Sequence, residues 1–476
     1  MHPSELLFWG ILSFLVGIAV ASLGWSILAL AGIAGIAGTC AVILNKSISP
    51  HRYIFIFFAF AFLGTFYFNA YLNFESYKQA IIFDKKISFS GIIFEAPRRF
   101  ERYQYFDVRL LAPYAGKVRI ISSPAIEFKY GDAIEAAGSI EAQDSPATPP
   151  ISSFPEIKII AEHRGFWLKG MLLEFKSRLV GRIIEFLPTN EGALLAGITL
   201  GDRSHITSDF KTQMATSGTT HLVALSGYNI AIIAIVVSQL FGNFVSRRKN
   251  FYLTNLLILA FVAMVGADPS VVRAALMAFL VLLAREVGRI YDIKNAIAVA
   301  GGIMVLVNPT SLVYDVGFQL SFASLLGIVY LSPAIATFFK LADDASSWKQ
   351  NAITTLSAQL AVVPIVLNSF GKVSLLAIVA NVLILEFMPL TMFFGFVLAG
   401  LANISSYVGF IVAKTVQPLL AYEVWVIQTF SAISIPIQIQ FSLWVSLLYY
   451  VGLAFVCVAI KNGNMPSPQK GNDQKK

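Results

Sequence analysis

The chain has 476 residues, 57% of them hydrophobic and only 13% charged, where an average soluble domain carries about a quarter charged residues. That excludes a soluble globular protein and indicates an integral membrane protein. Two cysteines, Cys40 and Cys457, lie far apart in apolar runs, and His2, His51, His163, His205 and His221 show no ligand spacing, so no disulfide framework, metal centre or other cofactor is expected. The formal charge of +8 fits either an anionic partner or the topological excess of Lys and Arg in membrane proteins.

Apolar runs at 6–22, 26–44 and 53–72 predict three membrane helices, a region of residues 1–74, each run near the roughly 20 residues that cross a bilayer. The first lacks a basic n-region and reads as a retained helix, not a signal peptide. Residues 75–163 are polar and hold the short runs ISFSGIIF, YQYFDVRLL, GKVRIIS and AIEAAGSIEA, which predict a small β-barrel or sandwich. Its eleven Lys/Arg against twelve Asp/Glu make it no general attractor of polyanions. Locally, EAPRRFERYQYF sets Arg98, Arg99 and Arg102 among Phe94, Phe100, Tyr103 and Tyr105, a mix of cation and flat ring that suits single-stranded nucleic acid. A charged hairpin whose rings fill the barrel is the plainer alternative.

The Pro-rich AQDSPATPPISSFPEI, residues 142–157, reads as a stiff linker. Residues 164–188 predict an amphipathic helix lying on the outer leaflet. Glu174, Arg178, Arg182 and Glu185 share one face, Leu172, Phe175, Leu179, Ile183 and Leu187 lie away from it, and Pro188 ends it.

From 189 to 460 the apolar runs divide into nine further spans, twelve in all, or ten if one pair is re-entrant. Short loops assigned to the inside carry fourteen Lys and Arg and those outside carry one, which places both termini and the tail 461–476 in the cytoplasm and residues 75–218 outside. The expected fold is an all-α polytopic membrane protein of twelve transmembrane helices with an inserted extracytoplasmic small β-barrel.

TNEGALLAGITLGDRSHITSDFKTQMATSGTTHLVALSGYN holds too many small and polar residues to face lipid, so it should be enclosed by protein. His221, Ser226 and Asn229 within it either staple neighbouring helices or line a hydrophilic path. Arg273 sits about one turn inside a span, within reach of a pairing with Asp315 for which a purely structural ion pair is the plainer reading. Asp315 and Gln319 are four apart and should share a helical face, and Gln359 precedes Pro364, which should kink or break its helix. The pairs Gly116-Lys117 and Gly371-Lys372 are each followed by valine, so there is no P-loop, and no G-x-S-x-G surrounds Ser226. Transport fits better than catalysis. A transporter or flippase of another envelope solute is the competing class; an interfacial lipid or glycan enzyme lacks an acid-base pair.

The ordered series ALLAGITLGDRS, HLVALSGYNI, PSVVRAALMA, YDVGFQLSFASLLGI and AQLAVVPIVLNSFGKVSLLAIVAN, across residues 190–390, resembles the competence domain of the ComEC family, inner-membrane (plasma-membrane) DNA internalisation proteins of natural transformation. The resemblance implies a non-enzymatic channel that passes single-stranded DNA into the cytoplasm. It implies an outer domain similar to an OB fold that contacts DNA through Arg98, Arg99, Arg102, Tyr103 and Tyr105. It further implies a path lined by His221, Ser226, Gly227, Asn229, Arg273, Asp315, Gln319 and Gln359. The partners it implies are a cytoplasmic translocase or helicase, a separate nuclease, an extracytoplasmic DNA receptor and the lipid bilayer, and a homodimer is compatible with it. Three departures stand out. Asn229 occupies the place of a second histidine found in many members, their outer-domain disulfide has no counterpart, and no metallo-β-lactamase-like domain follows, so no nuclease activity of its own is expected.

Overall fold

The computed structural model describes residues 3–24, 50–78, 80–143, 145–146, 148–225, 227–339, 347–374, 376–434, 436–437, 439 and 441–463. The expected span at 26–44 with Cys40, the residue Ser226 and the tail beyond 463 lie outside these.

Six described helices are long and apolar enough to cross a membrane: Ser4–Ser22, Ile56–Glu75, Arg247–Val265, Val316–Phe338, Trp348–Phe370 and Ser406–Ile433. Ala377–Leu385 and Met388–Leu401, bent by 54° at their junction, make a seventh if they are one span. The chain is a polytopic, mostly helical membrane protein with a sheet domain. Twelve full-length spans are not seen among the described residues. Gly227–Gly242 and Ile293–Val307 have 16 and 15 residues, short of the roughly 20 that a crossing takes. The run at 373–400 is broken between Leu385 and Met388, and Pro269–Val287 carries Arg273, Arg285 and Glu286.

The fold divides into two units, Met1–Ser208 with His221–Phe318 and Met392–Gln417, and Asp209–Thr220 with Gln319–Thr391 and Pro418–Lys476. In the first, helices Pro3–Ser22 and Pro50–Lys78 touch backbone to backbone. A Cβ at Gly64 would fall 2.2 Å from Phe14 O, and Thr65 Oγ1 donates to Gly17 O at 3.1 Å. Small residues allow this contact where lipid supplies no hydrophobic drive between helices.

The sheet of this unit comprises β1 (Lys86–Ile93), β2 (Arg98–Arg99), β3 (Gln104–Leu110), β4 (Lys117–Ser122), β5 (Ala133–Ser139), β6 (Ile151–Ser153) and β7 (Glu156–Ala161). Its order is β6-β4-β3-β1-β5-β7, with β2 paired to β3. Only β4 and β6 pair in parallel. Alternation along β1, β3, β4 and β5 sends Phe89, Phe106, Val108, Val118, Ile120 and Ile134 into one buried core. The Pro-rich segment is more than a linker, because it contains β6 and begins β7. Proline is tolerated at strand edges and starts, and here Pro150 O and Pro155 flank short edge strands, with Arg119 N donating to Pro150 O at 2.8 Å. An isolated bridge between Glu141 and Ile151 brings β6 toward the end of β5, so the sheet curls on itself.

Helix Trp167–Phe186 follows, with Leu179, Val180 and Ile183 buried. The expected charged face is present as two ion pairs, Arg178 with Glu174 at 2.7 Å and Arg182 with Glu185 at 2.8 Å. The next helix, Thr189–Leu200, is buried from Gly192 through Leu200, as its small residues require.

In the second unit, helix Ser347–Phe370 runs on through Pro364 and is not broken by it. The proline lacks the N–H that would bond the carbonyl four residues earlier. Tyr449 of the helix Leu443–Gly463 supplies the replacement, donating to Leu360 O at 2.8 Å, and Tyr450 donates to Ala361 O at 3.0 Å.

Candidate functional site

Pairing in the sheet sorts the arginine-aromatic stretch. Arg98 lies opposite Tyr105, and Arg99 opposite the buried Gln104, so successive residues of β2 point to opposite faces. Asp107 and Arg109 follow Tyr105 on its face, opposite Arg119 and Lys117 of β4. The result is a row of cations over rings. The Arg98 and Arg119 guanidinium carbons stand 5.9 and 4.9 Å from the centre of Tyr105, and Arg109 and Lys117 stand 5.6 and 5.7 Å from the centre of Phe94. Phe100 stacks on Tyr103 at 4.9 Å and on Tyr105 at 5.9 Å, in a turn closed by Phe100 N donating to Tyr103 O.

The three arginines of the stretch therefore do not form one patch. Arg98 is exposed on the ring-bearing face, Arg99 turns to Glu127 at 3.7 Å, and Arg102 is exposed in the turn. Arg119 is held by Asp107 through bonds of 2.7 and 2.9 Å, and this bond to the carboxylate raises its pKa above the ordinary guanidinium value. Arg109, Lys117 and Arg119 were not singled out by composition, because only the strand register reveals that they share a face with Tyr105.

This hairpin is anchored to distant segments of its own unit. Glu101 accepts from Ser208 N at 2.9 Å and Ser208 Oγ at 2.7 Å, and these bonds lower its pKa. Arg98 approaches Asp268, in the loop before helix Pro269–Val287, at 3.6 Å. Lys169 of the amphipathic helix donates to Phe94 O at 2.9 Å. Burial disfavours the Arg98 charge, but Tyr105 and Asp268 outweigh that effect and the guanidinium titrates above its usual value.

A second group of charges lies in the GDRS segment and its neighbours. Burial pushes the Asp202 carboxyl up, yet hydrogen bonds from His205 and Ser204 and the charge of Lys176 overcome it and hold the pKa at about 2. Burial lowers Lys176, which donates to Val265 O at 3.4 Å. The sequence offered Asp202 and Arg203 only as part of a motif; nothing in its spacing announced Lys176 beside them.

The HLVALSGYNI segment is pinned at three points. Arg203 Nε donates to Val223 O at 3.3 Å, Ser270 Oγ to Leu225 O at 2.8 Å, and Asn229 Nδ2 to Ile198 O at 3.0 Å. Asn229 is buried and joins helix Gly227–Gly242 to Thr189–Leu200. His221 is exposed on the short turn Thr220–Val223. Arg273 is buried at 9% exposure, and a Cβ at Gly227 would lie 3.3 Å from its Nη2, so the glycine makes room for the guanidinium.

Asp315 and Gln319 do not share a face of one helix. Asp315 has extended backbone between Ser311–Tyr314 and Val316–Phe338, and its Oδ1 accepts from Phe318 N at 3.1 Å, the work of a helix-capping carboxylate. Gln319 and Gln359, both half-buried, belong to the second unit, whereas the other candidates belong to the first. Among the described residues no group of three or more His, Cys, Asp or Glu is placed to hold a metal ion.

Residues 198–463 match the family model for competence proteins. Over 220 residues the chain is 30% identical to ComE operon protein 3 of Bacillus subtilis (strain 168), covering 46% of this chain and 27% of that protein. The chain thus spans about a quarter of the length of that curated relative. No solved structure matches. The chain belongs to the ComEC-type competence protein family, as its five ordered motifs imply.

Proposed function

We propose that this chain is a channel subunit of the plasma membrane that admits single-stranded DNA to the cytoplasm during natural transformation. The observation that carries the reading is the row of Arg98, Arg109 and Lys117 over Tyr105 and Phe94, continued by the Phe100-Tyr103 stack. Cations neutralise phosphates and rings stack on bases of any sequence, and the curled sheet is read as an OB-like barrel, a fold used for oligonucleotides. Contacts from Glu101 to Ser208 and from Arg98 to Asp268 support a hand-over from this face to the membrane helices.

In the same reading, the sheet domain is extracytoplasmic, both termini are cytoplasmic, and helix Trp167–Phe186 lies on the outer leaflet, with Trp167, Met171 and Phe175 exposed. In the first unit His221, Ser226, Gly227, Arg273 and Asp315 are its path-lining candidates, with Asn229 tying two of that unit's helices together, and Gln319 and Gln359 are its candidates within the second unit. The chain carries no catalytic role; a translocase or helicase, a nuclease and a DNA receptor are separate proteins.

The test is genetic. A strain deleted for this gene should lose uptake of added DNA and regain it with the native chain, and complementation with Arg98→Ala/Arg109→Ala/Lys117→Ala should restore it only weakly. Uptake that survives the deletion unchanged sinks the proposal.

A further inference from the structure

Glu423 lies within the candidate span Ser406–Ile433 and is fully buried. It stands ten residues before Ile433, which at 1.5 Å per residue is about 15 Å, roughly half the hydrocarbon thickness of a bilayer. Oε1 accepts a hydrogen bond from Thr391 Oγ1. Oε2 is buried with no hydrogen-bond partner among the described residues, and none of the ion pairs found among them includes Glu423.

Two titratable residues on the same helix and on the bent pair have other partners. Tyr422 packs its ring on Phe387 and directs its hydroxyl to Leu383 O, and Glu386, exposed at the helix break, accepts from Asn351. An isolated carboxylate in apolar surroundings costs far more than the neutral acid, and an ionisable residue inside a membrane marks a functional site by default.

The surroundings also suit movement. Thr391 belongs to Met388–Leu401, the second half of the bent pair, so one hydrogen bond joins the carboxyl to a half-helix just past its break. Pro418 removes a backbone donor from the helix that carries Glu423. Interrupted membrane helices are tolerated where they line a cavity, and transporters place ion sites at such breaks.

We infer that Glu423 and Thr391 form an intramembrane proton site. The proton resides on Glu423 Oε2 while Thr391 donates to Oε1. When the half-helix carrying Thr391 moves away and water enters, the acid releases H⁺ and becomes a carboxylate; it takes H⁺ back when the gap closes. The ligand is the proton whatever solute the protein passes, so the inference stands apart from the DNA reading.

Infrared spectroscopy of the full chain in lipid vesicles at neutral pH tests it. The native protein should show a carboxylic-acid C=O band that is missing in Glu423→Gln and moves to higher wavenumber in Thr391→Val, which keeps the acid and removes its donor. The second variant decides the matter if the first does not fold. No such band in the native protein, or a band unmoved in the folded variants, overturns the inference. So does a band abolished by sodium at fixed pH, which would make the occupant a metal cation. With a pH-sensitive dye inside the vesicles, Glu423→Gln should slow proton equilibration several-fold, and equal rates would refute the exchange.

Discussion

On the face of the sheet, Arg98, Arg109 and Lys117 stay exposed while resting on rings, whereas at the head of helix Gly227–Gly242 the buried Asn229 gives its amide to a neighbouring helix. Both regions drew attention for the same reason, polar residues among apolar ones. In the first, water screens the cations and a ligand can replace it at little cost. In the second, each donor answers a carbonyl that would otherwise be buried without a partner, and removing it costs the full desolvation penalty. Polarity in a membrane protein therefore has two uses, and exposure separates them.

That contrast can be broken from either side, and the largest effect is expected beneath the sheet. Phe106→Ala empties a site in the sheet core and should cost about 3–5 kcal/mol, seen as early proteolysis of residues 80–161 in the full chain while the membrane helices stay protected. Asn229→Leu should lower stability by about 1–3 kcal/mol, since Ile198 O loses its donor. An unchanged melting temperature would remove Asn229 from the scaffold and return it to the path. Arg98→Ala should reduce the slope of log affinity for single-stranded DNA against log salt by about 0.7, one phosphate's worth, and Arg99→Ala, on the opposite face, should leave it alone. Equal effects would mean that the register does not organise the surface.

The smallest effect concerns Asp202. Its pKa is depressed in the fold, to about 2 from 3.8, so its contribution to stability is present above pH 3.8 and is lost as pH falls toward 2. Asp202→Asn should flatten the melting temperature over that interval.

Much of the fold was legible in the residues themselves. Alternation in ISFSGIIF, YQYFDVRLL and GKVRIIS marked β1, β3 and β4 because one face of each is buried. The small residues of ALLAGITL marked a helix enclosed by protein. The strands β6 and β7 were hidden by prolines that read as linker, and Pro364 read as a kink or a break because Tyr449, 85 residues later, lies outside any local window. Glu423 was visible in YEVWV as a charge within an apolar run, but its meaning depended on Thr391, which no spacing rule connects to it.

Composition and motif order by themselves determined that this is a polytopic membrane protein of the competence family, since the cost of exposing apolar helices to water admits no soluble alternative and five motifs in one order rarely arise by chance. Only the tertiary structure decided how polar residues are employed. Register separated Arg98 from Arg99, packing turned Asn229 into a staple and Asp315 into a cap, and a bent helix pair brought Thr391 to Glu423. Those outcomes rest on contacts between residues far apart in the chain, whose partners local periodicity does not encode.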